Sequence, residues 1–217
     1  MKVTKLSSQK KDPSRVNLYI DGKFFFGITL DNLARFGIYV GKELQEEEVS
    51  KIQTYELKSR FLSRATEYIS KSIKTEFQLR RYLKDLSFKK KNVWYSNIEE
   101  EELEKIFNDI IHKLKQYGYL NDSVFAEQFI LSRIKNKPRG KSILISELLS
   151  KGVSKEIAES KVEELVEDEY QVLKEVYRKK YKDEKIGMDD RKKIDFLRRK
   201  GFDWDLIEKY INNEFTE

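Results

Sequence analysis

The stretch from Gly118 to Val153 restricts the possible folds most strongly, because helical signals alternate there with stop signals. Its first apolar residues recur at three- and four-residue spacing, as on one face of an α-helix: Phe125, Ala126, Phe129, Ile130 and Ile134. Asp122 is the predicted N-cap, because a short side-chain oxygen can accept from the unpaired backbone N–H groups of a first turn. Pro138 and Gly140 are predicted to end this helix.

Two further helices are predicted after that stop. Gly152 closes the second helix, since glycine readily adopts the left-handed conformation of a C-cap, and Ser154 caps the third. Their apolar faces carry Leu144, Ile145, Leu148 and Leu149 in the second helix, and Ala158, Val162, Leu165 and Val166 in the third. Helices with one apolar face each are buried most simply against one another, so the stretch predicts a three-helix unit.

The same unit recurs on both sides of this stretch. The predicted caps of its other copies are Thr75, Asn97 and Asp203. The earlier copy has an insertion at residues 87–96, and Trp204 in the later copy is expected to be a core or staple residue. The pattern Leu-x-x-Lys-Gly occurs at residues 148–152 and again at residues 197–201. Degenerate internal repetition of this kind is typical of an array in which each unit packs mainly on its neighbours.

The N-terminal segment has a different pattern. Apolar residues alternate with polar ones, as in half-buried strands: Val16, Leu18, Ile20, Phe24, Phe26 and Ile28. Asp21-Gly22 between them is a strong signal for a two-residue turn, so a β-hairpin is predicted. A short helix at residues 29–36 and a brief extended piece at residues 38–40 are predicted to follow.

The amino-acid sequence of the central stretch resembles that of a known family. It contains Gly118-Tyr119-Leu120-Asn121-Asp122, Phe125-Ala126, Arg133, Arg139-Gly140 and Glu147-Leu148-Leu149-x-Lys151-Gly152-Val153, in this order. This ordered set resembles the central repeat of the RecX family, the bacterial regulators of RecA recombinase.

The resemblance and the periodicity together imply a mainly α protein. We expect three tandem three-helix repeats in an elongated curved array, with a small N-terminal β-hairpin extension. The expected divisions are a β-rich extension at residues 1–45, a first repeat at 46–118, a second at 119–168 and a third at 169–217.

Composition excludes several classes of function. The chain has no cysteine, so disulfides, thiol catalysis and thiolate metal sites are not available to it. No apolar run approaches the roughly 20 residues that span a bilayer, and residues 1–11 contain no hydrophobic signal region. A cytoplasmic monomer without a membrane partner is therefore expected. The net charge of +6 and the pI near 9.1 are consistent with an anionic partner.

Charge repeats along the chain together with the helices. Basic residues outnumber acidic ones by eight to two in 71–91, six to one in 133–151 and eleven to five in 178–200. Acidic residues outnumber basic ones by six to one in 97–109, seven to two in 154–169 and five to one in 203–217. If the repeats stack in register, the three basic segments would form one basic band and the three acidic segments one acidic band. Each cluster by itself is more typical of a solvated helix face, whereas three clusters in phase favour a functional surface.

The residues that we predict to contact a partner come from this basic band. They are Arg80, Arg81, Lys84, Arg133, Lys135, Lys137, Arg139, Lys141, Lys179, Arg191, Arg198 and Arg199. Arg133 falls on the Phe125 and Phe129 side of its helix, so its stem is expected to lie against apolar surface. A structural role for Arg133, in a salt bridge to an acidic third helix, is an equal alternative.

A second candidate site mixes cations with aromatic rings. Lys89, Lys90, Lys91, Trp94 and Tyr95 combine phosphate neutralisation with base stacking, which is the combination that proteins use to bind single-stranded nucleic acid. The alternative interpretation is a loop whose Trp94 and Tyr95 pack back on the repeat.

No pattern for catalysis, metal binding or a cofactor is found in the sequence. His112 is the only histidine, which disfavours a metal site or acid–base chemistry. Arg139-Gly140-Lys141-Ser142 resembles the end of a phosphate-binding loop, but Lys135 stands where that loop needs glycine. A protein that is not an enzyme is therefore expected.

The resemblance implies a partner and an action. The partner would be RecA assembled on single-stranded DNA. Binding in the groove of this filament would modulate, and mostly inhibit, recombinase, ATPase and coprotease activities in DNA repair and the SOS response. Weak DNA binding without sequence preference would accompany this role. The alternative is a stand-alone DNA-binding protein of the helix-turn-helix type, which would recognise a specific sequence without RecA.

Overall fold

The computed structural model describes residues 1–10, 12–95 and 98–214, with Glu214 described by its backbone alone. The described chain is mainly α-helical, with one small antiparallel sheet near its N-terminus. The strands are β1 (Val3–Ser8), β2 (Arg15–Ile20) and β3 (Lys23–Thr29). The helices are α1 (Leu30–Arg35), α2 (Glu46–Ser70), α3 (Glu76–Lys90), α4 (Glu100–Gln116), α5 (Asp122–Asn136), α6 (Lys141–Ser150), α7 (Lys155–Leu165), α8 (Glu169–Tyr181), α9 (Arg191–Arg199) and α10 (Trp204–Glu214).

Helices α2–α4, α5–α7 and α8–α10 are three consecutive groups of three, which we call the first, middle and last repeats. The prediction of a mainly α fold built from three-helix repeats is confirmed. None of the helices in the described residues is long and apolar enough to cross a membrane.

The described residues form two compact units. The first unit contains Met1–Ser70 and Leu83–His112, and the second contains Lys71–Tyr82 together with the chain from Lys113 onward. The core of the first unit includes the buried residues Val3, Leu18, Ile28, Leu44 and Ile52. The second unit has one apolar cluster in the middle repeat, including Ala126, Leu144, Leu148 and Val162, and another in the last repeat, including Leu173, Tyr177, Leu197 and Ile207.

The N-terminal sheet has three strands in the order β1-β2-β3. The predicted hairpin is present, because Asp21 and Gly22 both have positive φ and turn the chain from β2 into β3. Strand β1 was not predicted, because only its Val3 is fully buried and the strand lacks clear apolar alternation. Residues 38–40, where a brief extended piece was predicted, form no strand, and the Lys42 N–H donates to the Tyr39 carbonyl in a turn.

Most of the predicted helix caps are confirmed. The side chains of Thr75, Ser154 and Asp203 each accept a hydrogen bond from a backbone N–H in the first turn of α3, α7 and α10, respectively. Gly152 has the predicted left-handed conformation after α6. The predicted cap Asn97 lies outside the described residues, as does Ser96 at the end of the predicted insertion. Helix α3 continues to Lys90, so the first residues of that insertion are helical.

The predicted cap of α5 is wrong by one residue. Asn121 Oδ1 accepts from the Ser123 and Val124 N–H groups at 3.0 and 3.2 Å, and Asp122 is the first residue of the helix. The Asp122 carboxylate instead accepts from the Glu76 N–H at 3.0 Å, at the start of α3. Local sequence did not distinguish these roles, because both side chains are good cap residues and only the fold brings α3 next to Asp122.

Asn121→Ala is expected to lower the free energy of unfolding by about 1 kcal/mol, because two backbone N–H groups of α5 lose their acceptor. Chemical denaturation followed by far-UV circular dichroism measures the change. Asn136→Ala at the other end of the same helix is the matched control, with an expected change within about 0.5 kcal/mol. Equal effects of the two substitutions would contradict the assignment of Asn121 as the cap.

Candidate functional site

The second unit contains two joints between helices, and the first lies where the end of α6 meets the start of α3. Thr75 Oγ1 donates to the Lys151 carbonyl at 2.6 Å. Gly152 packs so closely on Phe77 that a Cβ at Gly152 would overlap the Phe77 side chain. Glycine is therefore required here for close packing as well as for its positive φ.

The second joint repeats this construction where the end of α9 meets the start of α6. Ser142 Oγ donates to the Gly201 carbonyl at 2.6 Å, and a Cβ at Gly201 would lie 2.5 Å from Ile143 Cγ1. The Gly140 N–H donates to the Lys200 carbonyl at 2.8 Å. Both joints use the Lys-Gly pair of the repeated pattern Leu-x-x-Lys-Gly, so in the second unit this pattern marks the contact between the second helices of successive repeats.

The second joint brings together four cations from three segments of the chain. We call Arg139, Lys179, Lys180 and Lys200 the junction cluster. Lys180 Nζ and Lys200 Nζ lie 4.1 and 5.4 Å from the centroid of the Phe196 ring. Burial lowers the pKa of Lys200, and the positive charges of Arg139, Lys180 and Lys179 lower it further. Nearby cations thus repel one another here, and an anion bound at this surface would relieve the repulsion.

Arg139 is also part of an ion-pair network with Arg133. Glu147 accepts from Arg133 Nε at 2.7 Å, and its other oxygen lies 3.7 Å from Arg139 Nε. Arg139 Nε is buried and has no hydrogen-bond partner in the described chain. One carboxylate therefore faces two guanidinium groups, and the network retains a net positive charge.

The position of Arg133 confirms one prediction and contradicts another. Its guanidinium lies 4.7 Å from the centroid of the Phe129 ring, and Lys151 Nζ lies 5.4 Å from the same centroid. The prediction that Arg133 lies on the Phe129 side of α5 is confirmed. The salt bridge expected with an acidic third helix forms instead with Glu147, in the second helix of the repeat, because residues 133 and 147 face each other across α5 and α6.

Lys141 is paired within the second unit. Its Nζ lies 2.7 Å from Glu163 in the acidic helix α7, and its backbone N–H donates to Glu169 at 2.6 Å. Burial raises the pKa of Glu169, against these contacts with Lys141, and the nearby charges of Asp203 and Glu163 raise it further. A carboxylate of the acidic helix therefore neutralises Lys141, one of the cations predicted to contact a partner.

The predicted basic residues of α3 also have acidic or aromatic neighbours. Arg80 lies 3.6 Å from Glu76, and the Arg81 guanidinium lies 6.0 Å from the centroid of the Phe77 ring. Within the first unit, Lys84 Nζ lies 2.8 Å from Glu104 of α4. Exposed pairs of this kind contribute little stability, so they leave these cations accessible to a stronger anionic partner.

The other predicted cations are exposed on the surface of the second unit: Lys135, Lys137, Lys179, Arg191, Arg198 and Arg199. The structure brings two of the predicted cations, Arg139 and Lys179, into one cluster. Lys180 and Lys200 also belong to this cluster but were not predicted. The signal for Lys200 was present, because the repeated Leu-x-x-Lys-Gly pattern makes it equivalent to Lys151 at the first joint.

The second predicted site lies in the first unit. The Trp94 ring packs edge-on against Phe61, with centroids 5.4 Å apart, and Tyr95 Oη donates to the Ser87 carbonyl at 2.9 Å. Both rings therefore pack back on the repeat, as the alternative interpretation expected. Lys90 Nζ nevertheless lies 5.8 Å from the centroid of the Trp94 ring, and Lys89 and Lys91 precede and follow it in the chain.

A sheet followed by three-helix repeats, with cations gathered where the helices join, defines an α-helical repeat protein whose most distinctive surface is basic. Known proteins share this design. The family model described as the regulatory protein RecX N-terminal domain matches residues 1–45, and the model described as the second three-helix domain of RecX matches residues 121–161.

Named relatives extend the match over nearly the whole chain. The regulatory protein RecX of Bacillus velezensis is 31% identical over 94% of this chain and 74% of its own length. The regulatory protein RecX of Clostridioides difficile is 29% identical over 97% of this chain and 94% of its own length. The chain belongs to the RecX family of regulatory proteins.

Solved structures show the same fold. A crystal structure of regulatory protein RecX matches with a TM-score of 0.70 and 24% identity over 98% of this chain and 99% of that chain. The structure of RecX from Lactobacillus salivarius matches with a TM-score of 0.58 and 21% identity over 74% of this chain and 97% of that one. The predicted membership of the RecX family is confirmed by these relatives and by the two family models.

Proposed function

We propose that this protein binds RecA filaments on single-stranded DNA in the cytoplasm. It would lie in the filament groove and modulate, mostly inhibit, the recombinase, ATPase and coprotease activities in DNA repair and the SOS response. It would act by binding rather than by catalysis. The junction cluster is the observation that carries this proposal, because cations from the middle and last repeats meet there and lower the pKa of Lys200.

The electrostatics of the second unit favour an extended anionic partner. Lys179, Lys180 and Lys200 form no ion pair with the described residues, whereas Arg139 shares Glu147 with Arg133. The junction cluster therefore carries most of its charge outward. A surface of this kind speeds association and selects a register on a charged partner more than it increases affinity.

Carboxylates of the acidic helices form ion pairs with some of the predicted basic residues. Glu163 of α7 holds Lys141, and Glu104 of α4 holds Lys84, each within one unit. Such contacts fix the positions of long flexible side chains. Exchange of an internal carboxylate for an external phosphate or carboxylate is then nearly balanced in energy, which suits reversible binding along a filament.

The proposal is tested by removing charge from the junction cluster. The triple variant Lys179→Gln, Lys180→Gln and Lys200→Gln is expected to inhibit the single-stranded-DNA-dependent ATPase of RecA at least about tenfold less effectively, since each lost charge contact contributes on the order of 0.5–1 kcal/mol. The inhibition is measured as a titration at low and at high salt. The difference between the variant and the unchanged protein should shrink at high salt.

The matched control removes the same charge from the acidic helices, with Lys105→Gln, Lys155→Gln and Lys209→Gln in α4, α7 and α10. Both triple variants lower the formal net charge by three, from +6 to +3, so a general charge effect would change them equally. Equal inhibition by the two variants would contradict the junction cluster as the binding surface. Tight, sequence-specific binding to duplex DNA without RecA would favour the alternative of a stand-alone DNA-binding protein.

A further inference from the structure

The first unit contains a cleft of about 510 Å³ between the sheet, α2 and the turn that follows α3. Its volume lies in the range of roughly 300–1,000 Å³ that is common for ligand sites. Residues of β3, α2 and the 92–95 turn line it, and none of these residues belongs to the basic surface of the second unit.

The floor of the cleft is positively charged. Glu56 is only 3% exposed and forms ion pairs with both Arg15 and Arg60. Both guanidinium groups also donate to the Gly27 carbonyl at 2.8 Å, which fixes them at the floor. Two guanidinium groups against one carboxylate leave a net charge of about +1 in a partly desolvated position, where a charge acts more strongly than in water.

The walls of the cleft are aromatic. Phe24 is 59% exposed, Phe25 is also exposed, and the Trp94 ring forms part of the opposite side. The Arg60 guanidinium lies 5.8 Å from the centroid of the Trp94 ring. Side-chain amides of Gln53 and Asn92 add hydrogen-bond donors and acceptors to the lining.

The last residue of α3 adds a lysine beside the cleft. Lys90 Nζ lies 5.8 Å from the centroid of the Trp94 ring, and Lys89 and Lys91 are adjacent to it and exposed. A cation beside the opening, the exposed rings of Phe24 and Phe25, and the amides in the lining match the chemistry of a nucleotide: a phosphate outside, a flat base inside and polar base edges.

We propose that this cleft binds one base of a single-stranded nucleic acid, with a flanking phosphate against Lys90. The base stacks on the exposed ring of Phe24 and contacts the half-buried ring of Trp94, and the positive floor attracts its carbonyl oxygens. Stacking of this kind tolerates every base, because each base has a flat π-face, so no sequence preference is expected. An acidic peptide is a weaker fit, since it would leave the exposed rings without a flat partner.

The proposal concerns a different surface from the junction cluster and does not depend on RecA. Binding of a free oligonucleotide to the cleft and inhibition of the RecA ATPase through the junction cluster are separate measurements. Either one can fail while the other succeeds.

The fluorescence of Trp94 can be used to measure binding in the cleft. The chain has two tryptophans, and the other one, Trp204, is 44% exposed, so of the predicted core or staple roles the core role is wrong. In the full-length variant Trp204→Phe, Trp94 is the only source of tryptophan fluorescence. An oligothymidylate of about ten nucleotides, within the usual range of binding-site sizes, is expected to quench this fluorescence. A phosphodeoxyribose strand of the same length without bases is expected to leave it nearly unchanged.

A matched pair of variants tests the stacking. Phe24→Ala in the Trp204→Phe background should weaken binding of the oligothymidylate by about tenfold, in the lower part of the range known for loss of one base–ring stack. Phe88→Ala removes an aromatic ring of the same unit that is 83% exposed and lies outside this cleft, and it should change binding less than about twofold.

Three results would overturn the proposal. These are equal quenching by the strand without bases, unchanged affinity of the Phe24→Ala variant, and the absence of quenching by oligothymidylate. Quenching by an acidic peptide such as oligoglutamate, in place of the oligonucleotide, would assign the cleft to a protein partner instead.

Discussion

Glu56→Gln is expected to lower the free energy of unfolding of the first unit by about 3–5 kcal/mol, because it leaves two guanidinium groups without their shared carboxylate. Glu56 accepts hydrogen bonds from the Thr29 N–H at 2.9 Å and from Asn32 Nδ2 at 3.1 Å as well as from the two arginines. Glutamine has one acceptor oxygen and one NH₂ donor where glutamate has two acceptor oxygens. The substituted side chain can therefore accept only some of these hydrogen bonds. Chemical denaturation of the two proteins measures the difference.

Glu47→Gln in the exposed first turn of α2 is the matched control. It removes the same charge from the same helix and is expected to change stability by no more than about 0.5 kcal/mol. Similar denaturation midpoints for Glu56→Gln and Glu47→Gln would show that the buried carboxylate does not hold the sheet to α2.

The stabilisation by Glu56 also has a predictable pH dependence. Burial raises the pKa of this carboxyl, but the hydrogen bonds from Thr29 and Asn32 and the charge of Arg15 outweigh burial and hold the pKa below its ordinary value of 4.5. Its contribution is therefore full above pH 4.5 and is lost as the pH falls through the lower pKa of the folded state. The stability difference between the unchanged protein and Glu56→Gln should narrow as the pH is lowered from neutral to about 3.

Glu56 shows what a sequence of this kind does not reveal. Its partner Arg15 lies 41 residues away in the chain, and nothing in the neighbouring residues distinguishes Glu56 from the exposed glutamates of the same helix. Features set by adjacent residues were predictable, including the Asp21-Gly22 turn and the Thr75 and Ser154 caps. Features set by distant contacts, such as β1 and the role of Asp122 at the start of α3, were not.

The features of the candidate site also differ in whether the sequence could predict them. Charge counts along the sequence identified the basic segments that contain Arg139 and Lys179, and these two residues do meet in the junction cluster. The counts could not show that Lys141 is paired with Glu163, or that Glu147 is shared by Arg133 and Arg139. Charge is a property of the sequence, whereas pairing depends on which helices are neighbours.

The repeated Leu-x-x-Lys-Gly pattern connects the fold with the proposed surface. At both joints its glycine allows a close approach to the second helix of the preceding repeat, and its lysine lies beside an aromatic ring: Lys151 beside Phe129 and Lys200 beside Phe196. The same short pattern thus sets the spacing of the helices and positions a cation at each joint. Each of the two joints thus carries one such lysine, and the proposed binding to a charged polymer would use both of them.

The leucine at the start of this pattern provides a stability test of that packing. Leu148 is fully buried in the apolar cluster of the middle repeat, near Leu144 and Val162. Leu148→Ala is expected to lower the free energy of unfolding by about 2–5 kcal/mol, since the removed side chain leaves a cavity that the surrounding helices fill only in part. The denaturation midpoint should fall while the dependence on denaturant concentration stays nearly the same.

Leu149→Ala is a control of identical chemistry one position along the helix. Leu149 is 43% exposed, so its truncation is expected to change stability by no more than about 0.5 kcal/mol. The contrast between adjacent leucines separates burial from helix propensity, because both substitutions replace leucine by alanine in the last turns of α6. An unaltered midpoint for Leu148→Ala would contradict the inward orientation of this face and, with it, the packing that places Lys151 and Gly152 at the first joint.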